Sequence, residues 1–156
     1  MKRWTLALPL LLAAVPARAQ DSDVFHFVLA APASTGECSI ATAHWIDFTD
    51  LLALGPTMQG RCVAIDGYWR HHAFYGSRKD ADRAQHGPWG PLQRRAIGIY
   101  ADWDAIGPTP REAPQSATIV GIMDECSRLR SERGMVLGYC HERGGPFIRV
   151  SQMIRD

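Results

Sequence analysis

Gly60-Arg61-Cys62-Val63-Ala64-Ile65-Asp66-Gly67-Tyr68-Trp69-Arg70 reads as the central strand of this chain. Val63, Ile65 and Trp69 fall on one face, and Asp66, Tyr68 and Arg70 fall on the other. That period of two is the mark of a half-buried strand. Cys62 stands at its start, so a covalent tie is expected to begin there. At its far end the strand runs into a loop crowded with aromatic, histidine and arginine residues, Tyr68 to Tyr75.

Downstream, His71 to Tyr75 reads as a short second strand and Ser77 to Gln85 as one or two helical turns. His86 to Pro91 is a loop. Arg95 to Ala101 is a further strand, with Ile97 and Ile99 opposite Ala96, Gly98 and Tyr100. Gly107-Pro108, Pro110 and Pro114 make Asp102 to Ser116 an irregular connection. Ala117 to Met123 is apolar on both faces, as in a strand covered on both sides. Cys126 to Arg133 is a charged helical turn. Val136 to His141 and Pro146 to Ile154 are expected to close the domain as a hairpin around Glu142-Arg143-Gly144-Gly145.

Upstream, Ser39 to Leu54 has helical spacing. Ile40, Ala41, His44, Trp45, Phe48, Leu51 and Leu52 make an apolar stripe, Ser39 an N-cap and Gly55-Pro56 a stop. Val24 to Leu29 fits an edge strand or a brief helix. Gly67, Gly98 and Gly121 each interrupt a strand, where a bulge or the coiling of a barrel favours glycine. This pattern, from Gly60 to Ile154, resembles the OB-like barrels of small periplasmic proteins. The fold class expected is therefore mainly β with α+β character. It would be a small OB-like barrel of five or six strands with one N-terminal helix, stapled by disulfides. An OB fold carries a helix between its third and fourth strands; here the proline-rich segment stands in that place, and the Ser39–Leu54 helix would cap the barrel instead. A different small α+β sandwich remains open.

The first residues read as a secretory signal peptide: Lys2 and Arg3, an apolar run from Leu6 to Val15, and Ala17-Arg18-Ala19 as the cleavage site. That run is shorter than the roughly 20 residues a membrane span needs. The expected organisation is a leader over 1–19, an N-terminal extension over 20–37 and one β-rich domain over 38–156. A mature chain of about 137 residues is one domain's worth. The 17 basic and 16 acidic residues become 14 and 16 once Lys2, Arg3 and Arg18 are cleaved, a net charge of −2. Such a balance argues against nucleic acid as a partner. Lys79 is the only lysine left and asparagine is absent, the bias of a high-GC bacterial genome. Four cysteines in an exported chain favour two disulfides and a periplasmic or secreted location. Cys38–Cys62 and Cys126–Cys140 are preferred because each closes a short loop; Cys62–Cys126 is the rival.

Three functional classes follow. The first is a non-enzymatic binding or accessory module without a cofactor. Trp69, Arg70, His72, Tyr75 and Arg78 would face an anionic or glycan-like ligand or a protein partner, since aromatic faces stack on sugars and guanidinium groups grip anions. The bland reading of the same cluster is a half-buried hairpin with aromatic core residues and solvated arginines. The second class is a hydrolase using Asp102 or Asp104 with a histidine, the two carboxylates flanking Trp103. The third is a metal binder through Cys62, Cys126, Cys140 and His141. Spacing disfavours it, because no Cys-x-x-Cys or His-x-x-x-His pair exists and adjacent histidines on a strand point apart. No metal site is therefore assigned.

Overall fold

The computed structural model describes residues 26–28, 30–84, 95–107, 110, 112–129, 134–142 and 144–155. The leader expected over 1–19 and the loop expected from His86 to Pro91 lie outside the described residues. In chain order the elements are β1 (His26–Val28), β2 (His44–Trp45), α1 (Phe48–Leu54), a 3-10 turn (Gly55–Met58), β3 (Cys62–Arg70) and β4 (Ala73–Tyr75). They continue with α2 (Arg78–Arg83), β5 (Ala96–Tyr100), α3 (Trp103–Ile106), β6 (Gln115–Glu125), α4 (Cys126–Leu129), β7 (Gly134–Val136), α5 (Tyr139–Glu142) and β8 (Pro146–Arg155).

Five strands close a barrel in the order β3-β4-β5-β8-β6, with β6 returning to pair with β3. All neighbours are antiparallel except β5 and β8, which are parallel. Renumbered within the barrel this is the 1-2-3-5-4 order of an OB fold. β2 is an extra strand that joins β3 in parallel, and β1 pairs with β7 in a small separate sheet.

The alternation of β3 explains the interior. Val63, Ile65 and Trp69 point inward to meet Phe74, Ile97, Ile99, Ile119, Met123, Ile148 and Val150, with Phe48 and Leu51 of α1 closing over them. β8 keeps its apolar residues inward by a bulge. Val120 pairs with Gln152 but Gly121 pairs with Val150, so Ser151 is the extra residue, its hydroxyl donating to the Val120 carbonyl at 3.1 Å. A bulge changes which face later residues occupy. Ile148 and Val150 before it and Met153 after it therefore all reach the same core. A Cβ on Gly121 would collide with the Arg149 carbonyl at this crossing, which is why glycine sits there.

Two outer faces are also covered. Cys38 pairs with Cys62, drawing the chain around Ile40 and Ala43 over Ala64 and Val120. Cys126 pairs with Cys140, holding α5 against α4. This brings Tyr139 flat onto Gly98, where any Cβ would collide with the ring, and its hydroxyl donates to the Ala96 carbonyl at 3.1 Å. β5 is consequently buried on both faces, Ile97 and Ile99 inside the barrel and Ala96 and Tyr100 beneath α5. Among the described residues no helix is long and apolar enough to cross a membrane, and the two disulfides fit an oxidising compartment.

Three expectations need correction. The helix begins at Phe48, not Ser39. Thr42 and Ala43 donate their amides to the Ser39 carbonyl in a tight turn, and His44–Trp45 then pairs with β3. The staple at Cys38 and an open edge on β3 outweigh local helical spacing. Second, no terminal hairpin forms. β7 pairs with β1, and Tyr139–Glu142 is a helical turn whose Cys140 amide donates to the Tyr100 hydroxyl at 3.0 Å. β8 instead fills the slot between β5 and β6. Third, the proline-rich connection contains α3, a single turn standing where an OB fold carries its helix. Its Trp103 and Ile106 pack against the barrel core.

Candidate functional site

β3 pairs with β6 from Cys62 to Trp69 along one edge. Its other edge is divided. β2 meets it at Val63 and Ala64, β4 meets it from Tyr68 to Arg70, and Ile65 to Gly67 lie between them. The Ala64 carbonyl accepts from the Ile46 amide on that edge at 3.1 Å. Residues two apart on a strand direct their N–H and C=O to the same edge. The backbone of Asp66 therefore points into the gap, where no strand of the described residues pairs with it. Its side chain is exposed for a related reason. On the outer face, Ala64 is covered by the Cys38 segment and Arg70 lies under α2, and Asp66 occupies the window between those covers.

A groove of about 860 Å³ opens over this window. Asp66, Gly67 and Tyr68 form its floor; Asp47, Thr49 and Leu52 stand on one side and Ser77, Asp80 and Arg95 on the other. Asp47 sits at the N-cap of α1 with no side-chain capping bond. Asp66 accepts from the Thr118 hydroxyl at 2.6 Å, which fixes one carboxylate oxygen. Asp80 is held by the Ser77 hydroxyl at 2.9 Å and lies 3.8 Å from the Arg95 guanidinium. Among the described residues lining the groove, three carboxylates thus face one guanidinium, itself already near a partner. Ser77 caps α2 by accepting the Asp80 amide at 3.2 Å, which sets the wall of the groove.

The five residues expected to form a contact surface are distributed differently. Trp69 is fully buried, stacked on Trp103 with ring centroids 6.0 Å apart, and the Arg155 guanidinium lies 5.2 Å above its ring. Arg70 is only 1% exposed. It donates to the carbonyls of Ala81 at 3.4 Å and Glu112 at 3.1 Å, with Asp82 at 3.9 Å, so it latches α2 to the barrel. Tyr75 belongs to the outer core. His72 is exposed with its ring edge-on to Trp103 at 5.6 Å, and Arg78 is exposed 3.9 Å from Asp82. The five do not share one exposed surface. The groove residues Asp47, Asp66 and Asp80 were not singled out by sequence; the one available signal was a carboxylate in the middle of a largely apolar strand.

Asp102 has a structural task. Its Oδ1 accepts the amides of Asp104 at 3.1 Å and Ala105 at 3.3 Å and so caps α3, while Asp104 is exposed in the first turn. All four cysteines are in disulfides, so a Cys/His metal site loses its thiolates. Among the described residues no group of three or more His, Cys, Asp or Glu side chains is placed to hold a metal ion.

Elsewhere among the described residues, local surroundings shift three groups from their ordinary pKa. Bonds from the Ser34 amide and hydroxyl hold the exposed Glu37 carboxyl below its usual range. Burial raises the Tyr100 phenol, which donates to the Leu137 carbonyl at 2.7 Å. Burial, and then the Asp124 carboxylate, raise Glu125. A carboxyl with a raised folded-state pKa favours folding below its unfolded value and loses that contribution as pH rises through the folded one. Glu125→Gln is therefore expected to be more stable than the parent at pH 7, with the difference vanishing below about pH 4. Urea midpoints at the two pH values check this; an equal difference at both would contradict it.

No protein-family model, curated protein or solved structure matches this chain. The OB-like assignment rests on its own strand order and register.

Proposed function

We propose that this is an exported binding or accessory module of a bacterium, periplasmic or secreted, that holds a glycan-like ligand in the groove at Asp66. The observation that carries the reading is the groove itself, where a strand backbone and polar side chains converge at a break in the barrel's pairing. Carboxylates accept from sugar hydroxyls, Ser77 and Thr49 supply hydroxyl groups, and the half-buried Tyr68 offers an aromatic face. Three carboxylates against one arginine oppose an anionic ligand, which narrows the alternatives raised by composition. The leader sequence and the two disulfides support export.

The test is an oligosaccharide array followed by calorimetry on the strongest hit. Tyr68→Ala and Asp66→Asn are each expected to weaken that binding about tenfold or more, roughly 1.4 kcal/mol. Asparagine retains an oxygen for Thr118, so Asp66→Asn probes the charge and leaves the fold in place. An array without hits, or affinities unchanged in both variants, would overturn the reading. Binding of spermine with no binding of oligosaccharides would replace it with a cationic ligand.

A further inference from the structure

The two disulfides differ in access. Cys126 and Cys140 are each 1% exposed and sit in the outer core beneath α5. Cys38 is fully buried against Ala64 and Val120, whereas Cys62 is partly exposed. Cys62 also lines a second groove, of about 590 Å³, together with Thr42, His44, Thr57, Met58, Gly60 and Arg61. Thr42 places its hydroxyl 3.7 Å from the Cys62 sulfur. Thiol–disulfide exchange is governed by which sulfur an incoming thiolate can reach and by local positive charge. Here one cysteine of one bridge lines a groove that Arg61 also lines.

We propose that Cys62 is a site of thiol exchange, at which an anionic thiol such as a glutathione-class peptide, or a dithiol, opens the Cys38–Cys62 bridge while Cys126–Cys140 stays closed. The incoming thiolate forms a new S–S bond to the Cys62 sulfur. The Cys38–Cys62 bond breaks with its electron pair on the Cys38 sulfur, which takes a proton from water. With a dithiol, the second thiolate attacks the mixed disulfide, releasing Cys62 as a thiolate and leaving the dithiol oxidised. Cys38 departs into apolar surroundings, which disfavour its thiolate and slow the opening step; the bridge re-forms when Cys38 ionises and attacks the mixed disulfide, unless it is trapped. The orientation is fixed: the adduct belongs on Cys62 and the free thiol on Cys38. The loosened segment carries the turn at Ser39–Thr42 and an anchor from the Ile40 amide to the Gln152 side chain at 2.9 Å. Exchange at this position would release one flank of the barrel without touching its closure.

The experiment treats the folded, oxidised protein with glutathione at pH 8, quenches at intervals with iodoacetamide and maps modified peptides by mass spectrometry. Glutathione on Cys62 and alkylation on Cys38 are expected at least about tenfold faster than any modification of Cys126 or Cys140. Arg61→Glu is expected to slow the adduct roughly threefold or more at low salt, the effect fading in high salt. Arg61 joins the fold through its backbone, donating to Met58 and accepting from Met123, so the variant keeps those bonds. Equal rates at the two bridges, an adduct on Cys38, or modification only when urea unfolds the chain would each overturn the proposal. An Arg61→Glu rate equal to the parent's at low salt would remove the guanidinium from it.

Discussion

Trp69→Ala is expected to cost about 3–5 kcal/mol, a large share of the roughly 5–15 kcal/mol by which an ordinary domain is stable. The indole does three things at once. It fills the end of the barrel beneath α3, where Trp103 stacks on it at an interplanar angle of 16°. Its Nε1–H donates to the His71 carbonyl at 2.8 Å, holding the turn in which His71 takes a φ of 51°. And it lies under Arg155, whose Nη2 donates to the Ile106 carbonyl at the C-terminus of α3. Alanine removes the stack and the anchor together and leaves a cavity that the closed strand ladder resists collapsing into. Far-UV circular dichroism in urea reads the loss without relying on tryptophan emission. Trp69→Phe separates the parts, since it keeps an aromatic partner for Trp103 while losing the N–H bond and one ring's worth of packing, so its cost should be smaller than that of alanine. A cost below about 1 kcal/mol for the alanine variant would mean that Trp69 does not close the barrel end.

Replacing Cys38 and Cys62 together by serine is expected to cost about 3–4 kcal/mol. The chain-entropy model gives that magnitude for a loop of this length, here a separation of 24 residues. Native-state losses add to it. Without the bridge the turn at Ser39 is tied down chiefly by Ile40, and the outer face at Ala64 and Val120 is uncovered to water. The corresponding change at Cys126 and Cys140, whose separation is 14 residues, is expected to cost about 3 kcal/mol. Urea midpoints of both serine pairs, compared with the parent under oxidising conditions, measure the two values. Near-neutral results for the first pair would mean that the Cys38 segment contributes little as a cover.

Local sequence was informative wherever neighbours along the chain settle the matter. The alternation of Val63, Ile65 and Trp69 determined which face of β3 enters the core, because side chains on a strand alternate whatever the strand pairs with. The glycines at 98 and 121 marked close approaches, and the short loops between cysteines indicated the bridges that form. The Ser39–Leu54 stripe misled at its first half because helical spacing is a weak preference. The open edge of β3 offers His44 and Trp45 backbone bonds that a frayed helix end does not. Val136–His141 misled in the opposite sense: its strand-like residues are pulled into a turn by Cys140 and by the Tyr100 hydroxyl.

The candidate site was least legible, for a reason visible in Arg70 and Asp66. Both lie on the outer face of the same strand, four residues apart. One is sealed under α2 and bonded to its Ala81 carbonyl; the other stands open between two covers. Nothing in the alternation distinguishes them, since cover is supplied by segments distant along the chain.

The sequence by itself determined a β-rich chain, an inward-facing central strand and two covalent staples. All of these depend on local pattern and composition. Only the tertiary structure decided which edges pair, that Trp69 and Arg70 are buried, and that the break between β2 and β4 leaves Asp66 facing a groove. Those outcomes depend on contacts between distant segments, whose geometry no local periodicity encodes.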